Sequence, residues 1–209
     1  MSENNGFFIT FEGGDGCGKS TNLELLAQQL RERGREVVII REPGGTKIGE
    51  KIREMLLDKE NSEMVSRCEL LLYEASRAQI CDEVIRPALE RGAVVICDRF
   101  YDSSVAYQGY GRGLNVADVD KLNMFATDKL VPDITIWLCV DDVDEGLKRA
   151  AIAGGEADRL ELAGHDFHER VAHGFEVLAS HHADRFVKVA MSPTLSETNK
   201  RILAVLPEL

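Results

Sequence analysis

Eight consecutive residues, Gly13-Gly14-Asp15-Gly16-Cys17-Gly18-Lys19-Ser20, carry the spacing G-x-x-x-x-G-K-[ST]. Glycines at these places let successive backbone N–H groups curl toward one point, where they hold phosphate oxygens. A helix opening directly after the loop adds the positive end of its dipole. Lys19 then reaches the β- and γ-phosphates of a nucleoside triphosphate, and the Ser20 hydroxyl is placed to hold Mg²⁺. The same residues could form a strand-to-helix turn with no ligand. Their place after an apolar run and before a helically periodic one favours the phosphate grip.

A second candidate is Asp98-Arg99. Asp98 follows the apolar run Ala93-Val94-Val95-Ile96-Cys97, which puts it at the carboxyl edge of a strand, where open α/β sheets hold their ligands. A carboxylate there completes a Mg²⁺ shell, and the neighbouring guanidinium fork suits a phosphate. On its own the pair reads equally well as a surface ion pair; beside the P-loop it reads as part of one site. Tyr73 and Arg77, and Ser104 and Gln108, stand four residues apart, so each pair shares a helix face. A ring on such a face can stack on a base while its partner reaches the rim.

Other polar clusters have plainer explanations. His165, His168 and His173 are spaced three and then five apart, which does not gather them on one face as metal ligands. His181-His182 reads as solvated. The run Asp141-Asp142-Val143-Asp144-Glu145 suits the positive end of a helix better than a cation site.

The elements that must position these groups alternate. Phe7–Phe11, Glu36–Ile40, Ala93–Cys97, Asp133–Val140 and Phe186–Val189 are short apolar runs, as parallel strands covered on both faces require. Leu23, Leu26, Ala27 and Leu30 follow helical spacing between the first two. The pattern predicts an α/β domain with a five-stranded parallel sheet and helices on both faces. Gly109–Gly113 reads as a loop. Ala150–Asp158, small and glycine-bearing, reads as a lid at about 150–160 or as a surface turn.

Composition narrows the partners. The 209 residues suffice for a single domain over 1–209. A net charge of −11, from 25 basic and 36 acidic residues, argues against a polymeric nucleic acid as ligand. The five scattered cysteines form no C-x-x-C pair, which fits reduced thiols and a cytoplasmic setting. The polar, acidic opening lacks the layout of a signal peptide, and no apolar run approaches the ~20 residues that span a bilayer.

Four further blocks carry a resemblance. Arg41-Glu42-Pro43-Gly44-Gly45, Tyr73-Glu74-Ala75-Ser76-Arg77, Asp98 through Gly109, and Asp158-Arg159-Leu160-Glu161 occur in the order found in the bacterial form of the thymidylate kinase family. The chain resembles that family over nearly its whole length. The resemblance implies a P-loop nucleoside monophosphate kinase fold, transfer of phosphate from ATP to dTMP with Mg²⁺ on Ser20 and Asp98, and a homodimer. It implies that Gly13 through Thr21 bind ATP. Arg99 would clamp the dTMP phosphate with Arg53 and the Glu42-Pro43 turn, and Asp15 would lie near the transferred group. Tyr73, where the family usually has Phe, would stack on thymine, with Arg77 and Gln108 at its edge. Ser103 and Ser104 would line the base pocket, and Tyr107 would pack where a 2′-OH would sit.

The chain departs from its relatives in the lid. Position 16 of the P-loop is Gly where some relatives carry arginine, and Ala150–Asp158 contains no basic residue. Arg149 and Arg159 flank it and are the candidates for the charge that phosphoryl transfer needs. Two rivals remain at this level. Another nucleoside monophosphate kinase would share the P-loop. A GTPase switch would need N-K-x-D, whereas Asn199-Lys200 is followed by Arg201-Ile202.

Overall fold

A computed structural model describes residues 6–140, 145, 146, 148, 149, 152 and 159–209. The five apolar runs form β1 (Phe7–Glu12), β2 (Val37–Arg41), β3 (Val94–Asp98), β4 (Ile134–Cys139) and β5 (Phe186–Ala190). All pair in parallel, in the order β2-β3-β1-β4-β5. Between them run α1 (Lys19–Glu32), α2 (Lys47–Leu57) and α3 (Ser66–Ile80), which continues through a π-helical stretch, Cys81–Ile85, into α4 (Arg86–Glu90). After β3 come α5 (Tyr101–Ser104), a second π-helical stretch (Val105–Gly111) and α6 (Val116–Ala126); α7 (His165–His181) and α8 (Leu195–Val205) flank β5.

The strands bury both faces. Ile9, Phe11, Ile96 and Leu138 pack with Leu23, Leu26 and Leu30 of α1 and Ile202 of α8. Phe8, Val95 and Cys97 meet Ile80 and Ile85 beneath the other face. On that second side Trp137 stacks on Phe175 of α7 with ring centroids 5.9 Å apart. The apolar runs had located the strands to within a residue. β1, β2, β3 and β5 extend one residue beyond their expected ends, while β4 is a residue shorter at each end. The extensions arise because the ladder continues through Glu12, opposite Trp137, and through Arg41, opposite Asp98. Pairing there is backbone work, so polar side chains can project from the strand ends.

Gly109–Gly113 is not a simple loop. Gly109 to Gly111 belong to the second π-helical stretch, and the turn begins beyond it. A Cβ on Gly111 would lie 2.6 Å from the Phe167 ring, so this glycine serves a close approach to α7 rather than a bend. Ala150–Asp158, expected as a lid, lies outside the described residues apart from Ile152, as does the acidic run Asp141 to Asp144.

In this order the connection from β1 runs to β2 on one side of the sheet, whereas that from β3 crosses past β1 to β4 on the other. This opens a crevice at the carboxyl ends of the central strands, where ligands of such sheets bind. Residues 13–18 and Arg99 both fall there.

Candidate active site

The loop after β1 turns through Gly16 (φ 71°) and Gly18 (φ 73°), conformations that side chains resist. It delivers the chain into α1 with Lys19 folded back over it. The ammonium donates to the carbonyls of Gly13 at 3.1 Å and Gly14 at 3.0 Å and is buried. It is a cation held by weak acceptors, ready to exchange them for phosphate oxygens. Ser20 Oγ donates to Asp98 Oδ2 at 3.3 Å. This hydroxyl and carboxylate, brought from α1 and β3, are the hard oxygen donors that Mg²⁺ takes. Arg149 lines the same cleft, of about 560 Å³, together with Thr21 and Arg53, and is ion-paired with Glu145.

Arg99 occupies a left-handed conformation, φ 68°, which costs a non-glycine residue on the order of 1 kcal/mol. Its surroundings hold it there. The backbone N–H donates to Phe11 O at 2.9 Å. The guanidinium donates to Gly13 O at 2.8 Å and Asp15 Oδ1 at 2.7 Å and lies 5.0 Å from the centre of the Tyr107 ring. Burial pushes the Asp15 carboxyl up, but Arg99 and Lys19 outweigh it and hold the group below the usual carboxylate range. Beneath this pair lies Glu12, fully buried. It accepts from the N–H groups of Phe100 (2.8 Å) and Ser103 (3.2 Å) and from Ser103 Oγ (2.5 Å). Its carboxylate thus caps the first turn of α5 and ties the end of β1 to the segment carrying Arg99. Burial, together with the charge of Asp102, pushes the Glu12 carboxyl up to about 7.

A second cavity, of about 230 Å³, adjoins the first. Its walls are the rings of Tyr73, Phe100 and Tyr107 and the side chains of Leu57 and Leu160. Arg77 is buried at its base. Arg77 Nε donates to Glu42 at 2.8 Å, and Nη1 donates to Glu74 (2.7 Å), Ser104 (2.9 Å) and Asn123 (3.1 Å). Burial pushes the Glu42 carboxyl up to about 7 against the pull of Arg77. The Glu42-Pro43 peptide is cis, and Pro43 O accepts from Arg53 Nη1 at 2.9 Å. Gln108 Nε2 donates to Glu69 at 2.8 Å. The Tyr107 hydroxyl is buried on the same side of the site as the Arg99 guanidinium, which lies over its ring.

The two cavities share Asp15, Glu42, Arg53 and Arg99. The fold therefore brings the P-loop, Asp98-Arg99, Glu42-Pro43, Tyr73, Arg77, Ser103, Ser104, Tyr107 and Gln108 to one crevice. It separates Arg149 from Arg159. Arg159 is 9% exposed, donates to Leu56 O at 3.1 Å and pairs with Glu69 at 2.5 Å, behind the second cavity rather than in the P-loop cleft. His165 pairs with Glu169 at 3.3 Å and His173 meets the Tyr110 ring, while His168 is buried beside the P-loop.

Glu12, Glu69, Glu74 and Asn123 were not singled out from the sequence. Glu12 could have been noticed as a charge ending an apolar strand. Glu69 stands four residues before Tyr73 and eight before Arg77 on one helix face, a stripe that could have been extended.

A P-loop on a parallel sheet of this order, opening onto a second pocket lined by rings and arginines, defines a P-loop kinase of the nucleoside monophosphate class. The family model described as thymidylate kinase matches residues 11–202. A thymidylate kinase from Exiguobacterium sp. is 48% identical over 185 residues, 88% of this chain and 86% of that protein. The crystal structure of thymidylate kinase from Ehrlichia chaffeensis superposes with a TM-score of 0.80 at 34% identity, covering 97% of this chain and all of that one. The chain belongs to the thymidylate kinase family.

Proposed function

We propose that the protein transfers the γ-phosphoryl group of ATP to dTMP, giving dTDP and ADP. The observation that carries this is the shared wall: Asp15 and Arg99 border both the P-loop cleft and the ring-lined pocket. A donor phosphate in one and an acceptor phosphate in the other would meet there. No strong general base is needed, because the acceptor is a phosphate, largely dianionic at neutral pH with its second pKa at ~6. The work is alignment and neutralisation of crowded negative charge.

Lys19 would leave the carbonyls of Gly13 and Gly14 for the β- and γ-phosphates. Arg99 would hold the dTMP phosphate with Arg53, and Tyr73 would lie against the base. Ser20 and Asp98 would hold Mg²⁺, which when bound neutralises the β- and γ-oxygens. Arg149, already in the P-loop cleft, is the flanking arginine assigned to the ATP phosphates. The pairing of Arg159 with Glu69 supports a place on the base side instead.

A homodimer in a cytoplasmic setting completes the proposal. No helix among the described residues is long and apolar enough to cross a membrane. The test is ADP release with ATP and a panel of monophosphates. Activity with dTMP above that with AMP, GMP, CMP and dCMP is expected. Preference for any of those four would point to a different monophosphate kinase, and GTP hydrolysis without acceptor would point to a switch.

A further inference from the structure

Gln108 borders the ring-lined pocket, and its amide can face that pocket with either its donor or its acceptor. The two orientations read opposite base edges. Here the choice is made by the neighbour. Glu69 is completely buried. It accepts from Gln108 Nε2 at 2.8 Å, from Arg112 Nε at 3.2 Å and from Arg112 Nη2 at 3.1 Å, and pairs with Arg159 Nη1 at 2.5 Å. An ionised carboxylate only accepts. Although burial opposes ionisation, the hydrogen bonds from Arg112 and Gln108 and the charges of both arginines hold the Glu69 carboxyl below the usual range. Gln108 must therefore turn its NH₂ to Glu69. Its Oε1 has no donor among the described residues and is left to the pocket.

Arg77 completes the pattern. Its Nε and Nη1 are engaged by Glu42, Glu74, Ser104 and Asn123, and Nη2 has no partner among the described residues. The pocket thus offers one donor and one acceptor in a fixed arrangement. Thymine and uracil present the complement, a carbonyl O4 beside an N3–H; cytosine presents the reverse, an amino group beside a bare N3.

We infer that Glu69 is a positioning residue that sets base specificity by locking the Gln108 amide with its acceptor toward the pocket, and that Arg112 and Arg159 keep it in that role. This rests on the dTMP reading of the same site and adds how the base is chosen. A cytosine edge would leave Gln108 Oε1 facing a lone pair and Arg77 facing an amino group, unpaired polar contacts that a buried site penalises.

The experiment measures kcat/KM with ATP for dTMP, dUMP and dCMP in Glu69→Gln, in Gln108→Met and in the double variant. A glutamine at 69 can donate as well as accept, so the Gln108 amide is freed to turn. The dTMP-to-dCMP ratio should fall at least about tenfold in Glu69→Gln and change less than about twofold when the same substitution is made in the Gln108→Met background. The dTMP-to-dUMP ratio should stay put, since those bases share the edge. A general loosening of the pocket would move both ratios.

Glu69→Asp is the second route, should Glu69→Gln not fold. It keeps the charge between the arginines, withdraws it from Gln108 by one methylene, and should lower the same ratio. A folded Glu69 variant with the parental ratio, or an equal fall in the Gln108→Met background, overturns the assignment. A parent that prefers another monophosphate overturns the dTMP reading itself.

Discussion

Arg149 and Arg159 flank the same segment of sequence, yet they meet different groups. Arg149 lies in the P-loop cleft, where charge builds on the transferring phosphoryl group. Arg159 is spent on Glu69 and Leu56. Arg149→Ala is expected to lower kcat by more than about tenfold, a barrier change of at least ~1.4 kcal/mol. Arg159→Ala should instead raise KM for dTMP while leaving KM for ATP near the parental value. Steady-state kinetics in both substrates decide, and equal losses in kcat from the two substitutions would refute the division. Lys19, Asp98 and Arg99 were legible because the groups that define them are neighbours in sequence. Glu12 and Glu69 were not, because their partners lie 88 and 39 residues away, and no local spacing records such a meeting.

At the level of elements, the places of the five strands and of the first helix follow from apolar runs and their periods, while the strand order comes from the fold. Glycines were harder to read. The same residue type opens the P-loop turn at Gly18 and lets α7 press against the chain at Gly111, and sequence alone does not separate bend from contact. Gly111→Ala tests the second role. Its Cβ would stand 2.6 Å from Phe167 and 3.0 Å from Val171, both buried in the core, so the helices must part. A loss of about 1–3 kcal/mol is expected, seen as a Tm lower by roughly 2–10 °C in a thermal melt. An unchanged melt would mean that α7 yields without cost. Because Arg112 follows directly and supports Glu69, KM for dTMP should rise as well.

For the whole molecule, the buried carboxylates under the site make stability depend on pH in a definite direction. Glu12 titrates near 4.5 when unfolded and at about 7 in the fold. The folded chain therefore holds that proton more tightly, so the group's contribution is full below pH 4.5 and lost as pH rises through 7. Glu42 acts in the same sense. Each represents on the order of 3 kcal/mol across that window. Tm should fall between pH 5 and pH 8, and Glu12→Gln should make the fall shallower. Glutamine can keep the two N–H contacts and cannot ionise. A parental slope in that variant would show that Glu12 is not the titrating group.

The central place of β1 also bears on how the protein is made. Its Phe8 N–H waits for Asp133, and Thr10 for Thr135, each 125 residues further along the chain. At ribosomal rates of about 5–20 residues per second, an apolar strand stays without one of its two neighbours for roughly 6–25 s. During synthesis the phosphate grip is translated well before β4, the strand that completes the pairing of β1, and nascent chains halted before β4 are where chaperone demand should concentrate.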